Sequence, residues 1–174
     1  MADADTLPAV AWRDDRDERA AAAVPVDLDR MSVVLAAALA AEGVGSRAEV
    51  TLQLVGEDAI AALNAAHLGG TGPTDVLSFA LDGPDGPSDP DEPWMVGDVV
   101  VCPSVADRQA ADHAGDLDSE LALLVVHAAL HLCGWDHATP ADQAAMWARE
   151  RELMESLGCS PTGDPWRPAG GDDR

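Results

Sequence analysis

The residues of this chain best placed to do chemistry are three histidines in HAALHLCGWDH: His127, His131 and His137. Side chains four apart on an α-helix lie one turn apart and point the same way, so His127 and His131 present two imidazoles to one point. On a continuing helix His137 would face elsewhere, but Gly134 lets the chain reverse and swing the third ring back. Burying polar rings together on an apolar segment is unfavourable without a shared partner, and a metal ion is such a partner. Three imidazoles with a fourth position open make the donor set of a catalytic zinc site, one ion per chain; spacing alone leaves nickel, copper and iron open. Asp136 is a candidate acceptor for a ligand imidazole, or equally a turn-stabilising carboxylate. Cys133 reads as a buried apolar thiol, and His67 and His113 as surface or helix-end residues. The peptidase pattern HExxH also spaces two His this way, but the position of its general base holds Ala128, which takes no proton.

The ligands need a scaffold, and the flanking sequence supplies one. SELALLVVHAALHLCG (Ser119 to Gly134) is apolar on every face, which predicts a helix at the centre of the domain, capped by Asp116 or Asp118 and stopped by Gly134. A second helix is expected from Asp27 or Asp29 to Glu42, a short one over Glu57–His67, another over Val105–His113, and a last one over Pro140–Leu157. Val50, Leu52 and Leu54 alternate with polar residues as in a half-buried strand. Thr74–Leu81 and Val10–Trp12 read as further strands, and the apolar run GDVVVCP (Gly97 to Pro103) as a central one. Asp14–Arg19 reads as a charged turn. Asp82–Pro93, rich in Pro, Gly and acids, reads as a mobile loop. The expected fold is α+β (α/β-like): a small mixed β-sheet packed with several helices, the central one carrying the ligands. The expected organisation is a tail at 1–8, one domain at 9–158 and a flexible acidic tail at 159–174.

With 174 residues, 47% of them apolar, the chain is sized for one globular domain with a real core. Three widely spaced cysteines suggest reduced thiols. No apolar run approaches a membrane span, and the acidic first residues lack the features of a targeting signal, so a cytoplasmic location is expected. The net charge of −22, with no Lys, sets a difficulty for any nucleic-acid partner. Arg108 is the one basic residue between Ala48 and Ala148, so a cationic groove would have to be assembled from Arg30, Arg47, Arg108, Arg149 and Arg151.

LN (Leu63, Asn64), PTDVLSF (Pro73 to Phe79), GDVVVC (Gly97 to Cys102) and ELALLVVHAALHLCGWDH (Glu120 to His137) occur together, in an order and spacing that resemble the YbeY family of bacterial endoribonucleases. The resemblance spans roughly residues 9 to 158. It implies a compact fold of small sheet and helices, zinc held by His127, His131 and His137, and hydrolysis of single-stranded RNA. It implies roles in 3′-end maturation of small-subunit ribosomal RNA and in ribosome quality control, with the small subunit, a ribosomal protein and a ribosome-associated GTPase as partners. A metal-bound water would be the nucleophile, and Thr74, Asp75, Ser78 and Arg108 are candidates for the substrate groove. Many relatives carry an Arg four residues after the Asn matching Asn64; here that position is Leu68. The alternative is a ribosome-assembly factor whose metal is only structural.

Overall fold

β1 (Ala9–Asp14), β2 (Ala48–Leu54), β3 (Val76–Ala80) and β4 (Trp94–Val101) form one mixed sheet in the order β1-β2-β4-β3. β1 and β4 flank β2 in parallel, and β3 runs antiparallel to β4 along the outer edge. The computed structural model describes residues 6–167, so residues 1–5 of the tail expected at 1–8 and residues 168–174 of the tail expected at 159–174 lie outside the described residues. α1 (Glu18–Ala23), α2 (Leu28–Ala41), α3 (Glu57–Leu68), α4 (Pro103–Ala110), α5 (Leu117–Leu132) and α6 (Pro140–Ser156) complete it, giving the expected α+β class.

Period-two burial explains how the sheet divides the core. Val50, Leu52 and Leu54 of β2 are fully buried and, with Val99 and Val101 of β4, face the side carrying α2 and α5. Val100 and Cys102 face the opposite side, where Ile60 of α3 and Leu77 of β3 close a smaller cluster. β4 is thus covered on both faces, which is why its sequence is a continuous apolar run rather than an alternating one. It begins at Trp94, three residues before the expected start. The register shifts beside Glu49 and Val50, opposite Gly97. A Cβ on Gly97 would stand 2.3 Å from the Phe79 carbonyl oxygen and 2.6 Å from a Leu132 methyl, so a residue without a side chain lets β3 and α5 close on that point.

α5 is the central helix. Its buried residues lie on every face, including Leu124, Val125, Val126, Ala129 and Leu130, and it packs against α2, β3, β4, α4 and α6. Each such Leu or Val contributes about 1.5–3 kcal/mol on burial. The Asp116 carboxylate caps it, accepting the Ser119 amide at 2.8 Å.

Two regions depart from the sequence reading. Where a charged turn was expected, Asp17 caps α1 by accepting the Ala20 amide at 2.8 Å; four consecutive alanines carry the helical turn. The segment after α6 is tied down as far as residue 167. Cys159 and Pro165 are buried, the Gly163 amide donates to the Ala114 carbonyl at 2.9 Å, and the Arg151 guanidinium lies 4.7 Å over the Trp166 ring. Aromatic and prolyl surface anchors what acidity alone suggested was loose. Asp82–Pro93 contains no helix or strand, and its Asp82 carboxylate accepts the Met95 amide at 2.8 Å.

Candidate metal centre

His127 and His131 come from the last turns of α5, and His137 from the loop behind it. After Leu132 the chain turns through Gly134 at φ 90°, and the Trp135 amide donates to the Leu130 carbonyl at 3.0 Å. Only a residue without Cβ takes that left-handed step cheaply. The bend returns His137 to the others: ring centroids stand 4.5 Å (His127–His131), 5.0 Å (His131–His137) and 5.7 Å (His127–His137) apart. One nitrogen from each of the three lies within 4.8 Å of the other two, a set that could hold a metal ion.

The ring orientations are set from behind. His127 Nδ1 stands 2.7 Å from Glu150 Oε1, and His131 Nδ1 stands 2.9 Å from the Trp135 carbonyl oxygen. A carbonyl oxygen and an ionised carboxylate only accept, so both Nδ1 atoms carry a proton and both rings turn Nε2 forward. Those two Nε2 atoms are 3.1 Å apart. With each ring in the tautomer protonated at Nδ1, two lone pairs face each other there, an arrangement that a cation between them satisfies. Nitrogens at zinc bonding distance in a tetrahedral site stand roughly 3.3 Å apart, so the His127–His131 pair is spaced for such an ion, with a His137 nitrogen within 4.8 Å of both. Burial, then the neighbouring His127 and His137, holds the His131 pKa below its ordinary value and favours the neutral, ligating form. Burial, with the Glu42 carboxylate second, pushes the Cys133 thiol up to about 12, which keeps it a thiol rather than a thiolate ligand.

The three rings open onto a cleft of about 460 Å³ between α5, β3 and the end of α3. Thr74 and Ser78, expected in a substrate groove, line it, and so do Asn64 and Leu68. Asp75 and Arg108, also expected there, are engaged elsewhere. Asp75 accepts from its neighbour's amide, Val76 N–H, at 2.8 Å and from the Gln109 side-chain amide; the Arg108 guanidinium is paired with Glu57. The other arginines proposed for a cationic groove are likewise occupied. Arg30 pairs with Asp118 and Arg149 with Glu42 and Glu152, while Arg47 donates to the Pro90 carbonyl and Arg151 lies on Trp166. Among the described residues no arginine lines the cleft.

Asp136 does not orient a ligand ring in this arrangement: its carboxylate accepts the backbone N–H of His137 at 2.7 Å, the turn-stabilising alternative. Glu150 and the Trp135 carbonyl hold the rings instead. Glu150 is 3% exposed, and its second oxygen accepts the Trp166 indole N–H at 2.9 Å. The sequence carried a signal for it: Met146, Glu150 and Leu153 share the buried stripe of α6, so a carboxylate sits where an apolar residue is the norm. Nothing in the sequence pattern distinguishes a main-chain carbonyl such as that of Trp135. His113, expected at a helix end, lies 2.8 Å from the fully buried Glu120 carboxylate, which also accepts the Ala114 amide.

A family model described as Endoribonuclease YbeY matches residues 17–158. Proteins named Endoribonuclease YbeY are 46% identical over 135 residues in Moorella thermoacetica, covering 75% of this chain and 86% of that one. In Frankia alni the figure is 40% over 154 residues, covering 85% of each. A solution structure from Thermotoga maritima is 23% identical, covers 94% of this chain and all of that one, and gives a TM-score of 0.49. With its histidine cluster, its mixed sheet and a family match across most of its length, this chain belongs to the Endoribonuclease YbeY family.

Proposed function

We propose that the chain is a zinc-dependent endoribonuclease that hydrolyses single-stranded RNA in the cleft beside the histidine cluster. The observation carrying the reading is the cluster of three histidines, with two Nε2 atoms 3.1 Å apart, lining a substrate-sized cleft in a chain of this family. His127, His131 and His137 hold the ion, and Glu150 and the Trp135 carbonyl fix the first two rings so that little reorganisation is needed on loading. When bound, zinc supplies a water of lowered pKa and offsets charge developing on the phosphoryl group. The Thr74 and Ser78 hydroxyls face the substrate as neutral hydrogen-bond partners. Residues 9–158 form the catalytic domain in this reading. The relatives are named endoribonucleases; in this reading the substrate is ribosomal RNA, and the work is 3′-end maturation of the small-subunit RNA and ribosome quality control. The cytoplasm is the setting, with the small subunit, a ribosomal protein and a ribosome-associated GTPase as partners. No helix among the described residues is long and apolar enough to cross a membrane.

The cation-free cleft favours a second reading, an assembly factor whose metal is structural. Metal analysis combined with cleavage of single-stranded and duplex RNA separates the two. The nuclease reading expects about one zinc per chain, cleavage of the single strand alone, and loss of cleavage in His131→Ala. Cleavage undiminished in His131→Ala rejects the metal site as the seat of hydrolysis; a wild-type chain that binds ribosomal RNA without cutting it supports the assembly factor.

A further inference from the structure

Among the described residues no arginine lines the cleft that would hold an anionic polymer, and what does line it is the open edge of a strand. β3 pairs with β4 on one side only. In an antiparallel ladder, directly opposed residues alternate between pairs that exchange both hydrogen bonds and pairs that exchange none. The Leu81 amide donates to the Val96 carbonyl at 3.0 Å and the Cys102 amide to the Asp75 carbonyl at 2.8 Å. With the observed register these fix the phase: Asp75, Leu77, Phe79 and Leu81 bond inward, and Val76, Ser78 and Ala80 turn their N–H and C=O groups outward. All three outward residues line the histidine cleft. Asp75 Oδ1 already accepts the Val76 amide at 2.8 Å, so the open donors are Ser78 and Ala80, each with its own open carbonyl.

We propose that the outward N–H and C=O groups of Ser78 and Ala80 on the β3 edge bind the sugar and base groups of single-stranded RNA and set it against the histidine cluster, in place of the cations the cleft lacks. The inference rests on the nuclease reading above. A row that offers donor and acceptor from the same residue suits partners that are both at once, as the ribose 2′-hydroxyl and the edges of unpaired bases are, better than it suits phosphate oxygens, which only accept. Outward groups two residues apart recur about every 6.8 Å, a spacing that an extended strand can follow. Binding through such groups needs no counterion release, so it is compatible with a net charge of −22. Because a 2′-hydroxyl takes part, the same edge distinguishes RNA from DNA.

Proline provides the test, because it removes an N–H and is tolerated on an edge strand where that N–H faces outward. Affinities of the metal-free full-length chain for a single-stranded oligoribonucleotide and its DNA counterpart are measured by fluorescence anisotropy, so that no cleavage intervenes. Ser78→Pro and Ala80→Pro each weaken RNA binding about fivefold, the worth of one neutral hydrogen bond, and narrow the RNA–DNA difference, while zinc content stays near wild type. Wild-type affinity changes little with salt, in contrast to the slope of about −0.7 per phosphate expected of ionic contacts. Amide hydrogen exchange on the wild-type chain gives an independent reading: RNA slows Ser78 and Ala80 and leaves Leu77 and Phe79 unchanged. RNA affinity and exchange both indifferent to these positions would overturn the edge assignment and leave the nuclease reading standing. A wild-type chain with no RNA affinity would overturn both. Protection of the two amides by a short Val/Thr oligopeptide and not by RNA would replace RNA with a protein strand.

Discussion

The Glu150 carboxylate, almost wholly buried, stands 2.7 Å from His127 Nδ1 on the side of the ring away from the cleft. It accepts two N–H donors at once, the imidazole and the Trp166 indole. A carboxamide of the same shape can accept from only one of them. Glu150→Gln is therefore expected to keep the fold and weaken zinc binding about 10–100-fold, read by competition with a chromophoric chelator. Unchanged affinity would show that the ring needs no such support.

Trp166→Phe keeps an aromatic ring on Arg151 and deletes one donor to Glu150. Its expected cost is about 1 kcal/mol in chemical denaturation, the worth of a hydrogen bond to a charged group less what water recovers. A loss within error would mean that the indole N–H adds nothing to the hold on the segment after α6.

Leu68 is 62% exposed and lines the cleft, so Leu68→Arg adds a cation there without disturbing the core. RNA affinity should rise about tenfold at low salt, and binding should become salt-dependent. No gain would mean that the RNA path does not pass the end of α3.

The Ser119 amide, chief among its partners, holds the Asp116 carboxyl below its ordinary value of 3.8. A carboxyl lowered on folding contributes stability above its unfolded pKa and loses it as pH falls through the folded one. Asp116→Ala should cost about 1 kcal/mol at neutral pH as the cap of α5 is lost. Asp116→Asn, which caps without titrating, should match wild type at neutral pH and lose less stability below about pH 4. Identical acid limbs for wild type and Asp116→Asn in thermal melts would count against the linkage.

Gly97→Ala puts a methyl group where the Phe79 backbone and Leu132 already stand. A loss of about 2–3 kcal/mol is expected, because β3 or α5 must shift. A thermal melt like wild type would show that the strand and helix yield at no cost.

The helix bearing the ligands was legible because its apolar residues and its stop at Gly134 are local signals, and so was the central strand. The bend that brings back His137 could be read for the same reason: a glycine does locally what no other residue does cheaply. Arg108 misled, because charge composition says how many cations exist but not which carboxylates claim them, and Glu57 lies far away in sequence. The packing of Trp166 was hidden by the acids around it, since a single aromatic anchor leaves no periodic trace. The open edge of β3 depends on strand order, a property of the assembled sheet.

All three imidazoles fall between residues 127 and 137, and two of them already sit on a formed helix. An ion arriving there has only a six-residue excursion from His131 to His137 left to immobilise, so loading carries a small entropic penalty. Its departure would slacken one short turn, and no buried residue of the two apolar clusters is one of its ligands. Such a cation would be a removable fitting on a finished frame, unlike the ion of a zinc finger, whose loss dissolves the domain.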